Sequence, residues 1–204
     1  MPIKTEKGFQ ASTVLDNKSD ASLVDQLEER ARAYLSQCSQ TLPYAENDTT
    51  WSQLYAATHR LRLAVLASGG NRIAVADAVL EIGSNLLGCE EIAVLKLHED
   101  NPNMSILASV GITAEHRQAL HVHAGKIWAE ILRGQVIIVD NSALKDYFLA
   151  NLGISALVPL TPPHAAKGAI VFFNLLPHRQ GFSSRDRELL GLLSVYVGPC
   201  LFGK

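Results

Sequence analysis

Residues 151–176 read NLGISALVPLTPPHAAKGAIVFFNLL. Two apolar runs rich in β-formers, 155–160 and 169–176, flank a Pro-Pro-His-Ala-Ala-Lys-Gly connection that no helix can cross. The pattern predicts an antiparallel hairpin with a loop of seven or eight residues. The second run is apolar almost throughout, with Asn174 its single polar residue. Such a run is expected to be covered on both faces, as a central strand is. Pro159 has no N–H for the ladder, so its strand is either an edge there or bulged.

The cover for both faces must come from the rest of the chain. Upstream, Val136-Ile137-Ile138-Val139 is a short apolar strand that runs into Asp140-Asn141-Ser142, which suggests a buried strand opening on a polar crevice. Tyr147-Phe148-Leu149 belongs to a segment of unassigned type. Thr113 can cap one short helix, and 125–132 reads as another, ended by Gly134. Before these, 91–97 alternates with period two, 98–103 is a turn cluster, and 104–110 is a second strand closed by Gly111. A helix is expected at 72–87, with Ile73, Ala76, Val79, Leu80, Gly83 and Leu86 inward. Downstream, Phe182-Ser183-Ser184-Arg185-Asp186 supplies a Ser cap and an acid in the first turn of a long terminal helix, which Gly198-Pro199 is expected to end or kink.

The first part of the chain differs in character. Residues 1–19 are polar and without period, and are expected to form a flexible tail. Val24, Leu27, Ala31, Tyr34 and Cys38 then make a narrow helical stripe of about two heptads, too short for an isolated coiled coil. A second stripe, Trp51, Leu54, Thr58, Leu61 and Val65, follows a capping-box pair at Thr50 and Gln53 and ends at Ser68-Gly69-Gly70. Residues 20–70 are therefore expected to be a two-helix extension for dimerisation and signalling, and 71–204 the main domain.

Bulk properties exclude several function classes. A net charge of -2 with 19% charged residues and no Lys/Arg block points away from nucleic acid and from anionic membranes as partners. Cys38, Cys89 and Cys200 lack metal-ligand spacing and leave an odd thiol, as expected of a reducing compartment. No signal peptide or membrane-spanning run is visible, so a cytoplasmic location is expected. His121 and His123, with His116 nearby, form at most a chelating pair, and no metal or other cofactor is expected. There is no G-x-S-x-G elbow, and Gly69-Gly70 lacks the Lys-Ser/Thr of a phosphate loop.

The order of parts resembles the GAF domain of sensory and regulatory proteins. The resemblance covers about 72–204 and rests on Gly125-Lys126-Ile127-Trp128, Asp140 after the short strand, Val158-Pro159-Leu160, Gly168 with its apolar run, and Phe182 with Asp186. It implies an α+β fold: an antiparallel sheet of five or six strands with helices on both faces, and a small-molecule pocket walled by the short helices and loops. It also implies dimers through the helices. The Asn-Lys-x-x-x-Phe-x-x-x-Asp-Glu pattern of cyclic-nucleotide-binding members cannot be placed on this chain. No cysteine is well placed for bilin attachment or for reduction of methionine sulfoxide, and no enzymatic activity is expected.

Six residues are candidate ligand groups. Lys96 and Asn174 each stand on a definite strand face among apolar neighbours, where an ammonium and an amide can orient a polar or anionic ligand; alternatively Lys96 snorkels to solvent and Asn174 serves the backbone. Asp140, Asn141, Tyr147 and Ser155 can line the opening at the sheet end, although Asp and Asn are also good turn residues. The expected function is a non-enzymatic regulatory protein that binds an unidentified small molecule and signals as a homodimer to a separate effector protein. The competing class is an interaction module whose pocket is filled, for which bulky Phe172 and Phe173 speak.

Overall fold

The computed structural model describes residues 56–57, 59–61, 63, 71–98, 101–139, 148–160, 167–179 and 181–202, with 101 and 102 described by backbone alone. The expected tail, the first helix of the extension, and the loops at 140–147 and 161–166 lie outside the described residues. The strands are β1 (Ile92–His98), β2 (Asn101–Val110), β3 (Ile137–Ile138), β4 (Ala156–Leu160) and β5 (Gly168–Phe172). The helices are α1 (Arg72–Leu87), α2 (Ala114–Val122), α3 (Ala124–Leu132), α4 (Phe148–Asn151) and α5 (Ser184–Phe202).

One antiparallel sheet of five strands runs in the order β2-β1-β5-β4-β3. The hairpin read from 151–176 is β4–β5, paired from Ala156↔Phe172 to Leu160↔Gly168. As its composition requires, β5 is the middle strand, buried at every residue. Pro159 sits where β4 has become an edge, because β3 pairs only with Leu157 and Ala156 and stops before reaching it. The proline needs no donor on that side, and its carbonyl accepts a 2.6 Å hydrogen bond from Ser194 of α5.

Strand alternation divides the core into two layers. Ile92, Val94, Val158, Ile170 and Phe172 face α1 and α5. Ala93, Leu95, Leu157, Ala169, Val171 and Phe173 face the other way, under Leu120 of α2, Ile127 and Ile131 of α3 and Leu149 of α4. Each of these large side chains removed from water contributes about 1.5–3 kcal/mol. The first layer reaches back beyond residue 70: Ala57 and Leu61, in helical conformation, are buried in it, and Arg60 pairs with Glu81 of α1. Part of the segment read as an extension therefore packs into the main core.

Three local expectations are corrected. Ile73 is 61% exposed, while Val75, Val79 and Ile82 define the buried arc of α1. At ~100° per residue, Ile73 falls well off the centre of that arc. The turn expected at 98–103 is shorter, since β2 already begins at Asn101. Pro199 does not end α5, which continues to Phe202. The carbonyl deprived of its donor belongs to Val195, whose 42% exposure leaves water to serve it.

Close approach explains one glycine directly. A Cβ at Gly168 would collide with the carbonyl oxygen of Leu95 on β1 and stand 2.6 Å from the Phe202 ring, so β5 can start between β1 and the end of α5 only with a residue without Cβ. The other end of α5 is held by polar groups. Ser183 Oγ accepts from the Asp186 N–H at 3.2 Å while Asp186 Oδ2 accepts from the Ser183 N–H at 2.8 Å, a reciprocal capping box. Arg179 donates to both Asp186 oxygens and, from Nη1, to the carbonyl of Leu87 at the end of α1. Asp186 is almost wholly buried, so removing it strands the guanidinium and the cap together. Asp186→Ala is expected to lower unfolding free energy by about 3–5 kcal/mol with an unchanged urea m value; a loss under about 1 kcal/mol would show the clamp to be incidental.

Candidate functional site

The second layer is closed by short pieces. Thr113 caps α2 by accepting from the His116 N–H at 3.1 Å, and α3 follows with Ala124, Ile127 and Ile131 turned to the sheet. Helix α3 lies across the sheet, in contact with both β2 and β4. On α4, Leu149 is fully buried and Phe148 is partly buried under the Lys126 ammonium, 6.0 Å from its ring centroid. Polar groups stand at the margins of this apolar layer. Glu130 is buried and accepts from the exposed Arg133 at 2.8 Å. The indole nitrogen of Trp128 is shut off from solvent and has no hydrogen-bond partner among the described residues.

The main polar cluster sits at the end of the sheet where β1 begins and β5 stops. Glu91 Oε2 lies 2.6 Å from His116 Nδ1, and Glu91 Oε1 accepts from Asn174 Nδ2 at 3.4 Å. An ionised carboxylate only accepts, so the Nδ1 proton is directed at Glu91. The imidazole stacks on Phe173 with centroids 4.3 Å apart and planes 18° from parallel. A Cβ at Gly153, whose φ is +70°, would stand 3.0 Å from His116 Nε2 and 3.4 Å from Asn174 Oδ1, so the turn before β4 passes tightly over the cluster. Glu91 thereby fastens α2 to the central strands, and its own carbonyl accepts from the Phe173 N–H at 2.9 Å.

The sequence-predicted residues do not converge on one point. Asn174 belongs to the Glu91–His116 cluster and is bonded to a side chain, not to backbone. Ser155 lies at the same end of the sheet; its N–H donates to Phe172 at 2.8 Å and its carbonyl accepts from Val139 at 2.9 Å, which brings the exit of β3 beside it. Asp140, Asn141 and Tyr147 lie outside the described residues. Lys96 alternates with Ile92 and Val94, on the face covered by α1 and α5, and pairs with Gly168 at the opposite end of β5. Six residues of strand, about 20 Å, separate that level from Asn174, so a small ligand cannot bridge the two. Sequence reading missed Glu91 and the buried indole. His116 is a pairing partner of Glu91 in the structure, and a contact across 25 residues leaves no local signature.

No family model matches the chain, and no curated protein sequence does. Solved structures are similar in fold. The GAF domain of an Acinetobacter phosphoenolpyruvate-protein phosphotransferase superposes with a TM-score of 0.56 at 15% identity, over 76% of this chain and 94% of that one. GAF3 of a Synechocystis protein, in its photoproduct state, gives 0.48 at 16% identity, over 65% and 94%. With the first of these, the five-stranded sheet and its two helical layers establish a GAF-like fold.

The Glu91–His116 contact is short, partly buried and charge-assisted. A double-mutant cycle with Glu91→Gln and His116→Gln, read by urea unfolding, is expected to give a coupling of about 1.5–3 kcal/mol. A coupling near zero would mean that the stacking on Phe173 alone holds the ring.

Proposed function

We propose that this protein is a non-enzymatic sensory or regulatory module that binds a small molecule between its sheet and the α2–α4 layer. It signals as a homodimer, through its helices, to a separate effector protein. The observation that carries this reading is the inequality of the two faces. One is sealed by helices of 16 and 19 residues; the other is roofed by helices of nine, nine and four residues, the first two meeting at His123. A roof built of short segments can part around a ligand at lower cost than a face closed by long ones. Ser155, Asn174 and the β3 exit lie toward one end of that roof and would meet the ligand's polar groups, with Asp140, Asn141 and Tyr147 as further proposed contacts. Likeness to a GAF domain that accompanies a phosphotransferase supports a regulatory context.

Cys89 and Cys200 belong to the layer under α1 and α5. Burial pushes the Cys89 thiol up to about 12 and the Cys200 thiol up to about 11. Both stay protonated near neutral pH and are poor nucleophiles. Transmission would run through the long helices, since Arg179 ties the end of α1 to the start of α5.

One observation favours the interaction-module reading instead: Ile127, Ile131 and Phe173 fill the second layer and are fully buried. Phe172 does not contribute, because it faces α1 and α5. Native mass spectrometry on protein purified without additive separates the two. The sensor reading expects protomer mass in excess of the chain that disappears on denaturation; a bare chain mass favours the module. For the dimer, Leu27→Glu in the first helical stripe is expected to halve the mass seen by light scattering, and an unchanged mass would place the seam elsewhere.

A further inference from the structure

We propose that the indole N–H of Trp128 is the donor that orients the bound small molecule, and that this molecule carries an oxygen acceptor, a carboxylate or an amide carbonyl, on an apolar body. The inference rests on the ligand-binding reading above and adds a residue and a chemical class to it.

An indole nitrogen can only donate. That of Trp128 is sealed from solvent without a partner among the described residues, an arrangement folded proteins nearly always avoid. Its own helix cannot supply the acceptor. The residues three and four positions away are Gly125, Ala124, Ile131 and Leu132, and none has a polar side chain. At the end of α3 the carbonyls of Glu130 and Ile131 already accept from the Arg133 and Gly134 N–H groups. The ring packs against the same apolar layer as Ile127, Ile131 and Phe173, and the residue as a whole remains half-buried, at the margin of that layer. A partner must therefore come from outside the helix, and its surroundings admit an apolar body with one acceptor rather than a polar molecule throughout. The other buried polar atoms in this condition, on Glu188 and Tyr196, belong to α5 on the opposite side of the sheet and have further interactions.

The experiment is a two-dimensional NMR titration of the full chain, unfolded, dialysed and refolded to strip any bound molecule. The chain has two tryptophans, Trp51 and Trp128, so the indole region holds two N–H signals. Trp128→Phe assigns them, and should that variant fail to fold, Trp51→Phe leaves the Trp128 signal alone. Benzoate and benzamide are the acceptor-bearing probes; toluene is the control of similar size without an acceptor. Methyl signals of Ile127 and Ile131 report occupancy of the layer independently. The expected result is a saturable downfield movement of the Trp128 indole proton with benzoate, benzamide or both, accompanied by methyl shifts, and methyl shifts alone with toluene. A response to benzoate only would select the carboxylate. Methyl shifts without indole movement would overturn the role of Trp128 while leaving the site. An indole proton already at a hydrogen-bonded position in the stripped protein, and fixed there, would show a partner within the chain and overturn the inference. No response of methyls or indole to any probe would sink the ligand reading itself.

Discussion

One guanidinium joins the two long helices on which the sheet rests. Arg179 reaches the carbonyl of Leu87, one of the acceptors a helix leaves free at its end, and with its other nitrogen the carboxylate of Asp186, which caps the start of α5. The negative end of α1 is thus met by the guanidinium, and the positive end of α5 by the carboxylate that the same guanidinium holds. Gly88, in the left-handed conformation with φ 64°, turns the chain from α1 toward β1, and a Cβ there would press on the Arg179 side chain at 3.0 Å. From the same corner Leu176 donates to the Gly88 carbonyl at 3.2 Å, and Cys89 bridges Leu175. The central strands are consequently fixed in register at the point where both helices are fixed in direction.

Much of this architecture was legible because it is local. The apolar run after Gly168 could only be a strand buried on both faces, and its place in the middle of the sheet follows. The Ser183–Asp186 spacing declared a helix start, and both halves of the capping box are made. What failed locally was corrected by tertiary surroundings. Pro199 reads as a helix end or kink, yet α5 runs on to Phe202, and Val195, whose carbonyl loses its donor, is a half-exposed residue. Ile73 reads as core, yet the sheet lies under a different arc of α1.

The candidate site was legible in outline only. Alternation along β1 groups Lys96 with Ile92 and Val94, but it cannot say which face the short helices will cover, and Lys96 proves to lie under the long ones; Asn174 falls beyond the end of β5, where alternation no longer holds. Nor does alternation carry distance along the sheet, which separates Lys96 from Asn174. Glu91 looked like the first residue of a strand because its partners come from α2 and from beyond β5, 25 and 83 residues away. Trp128 stood out in the sequence only as the end of the Gly125-Lys126-Ile127-Trp128 segment of the GAF resemblance. Only the packed surroundings reveal that its ring is at home in the layer while its nitrogen is not.

The pairing of β1 with β2 slips between Val94 and Leu95: Val94 stands opposite Ala108 and Leu95 opposite Ile106, so Leu107 is an extra residue on the outermost strand. That bulge bears on the behaviour of the protein in a crowded solution. After Pro102 near its start, β2 carries no charge and no further proline, the usual guards of a free strand edge. A bulge guards it differently, by bending and over-twisting the strand so that its outer amides and carbonyls no longer form a straight row for a neighbour to copy. At the far margin the sheet ends in the two residues of β3, too few to template anything. A guard of this kind lies in backbone geometry and does not depend on surface charge.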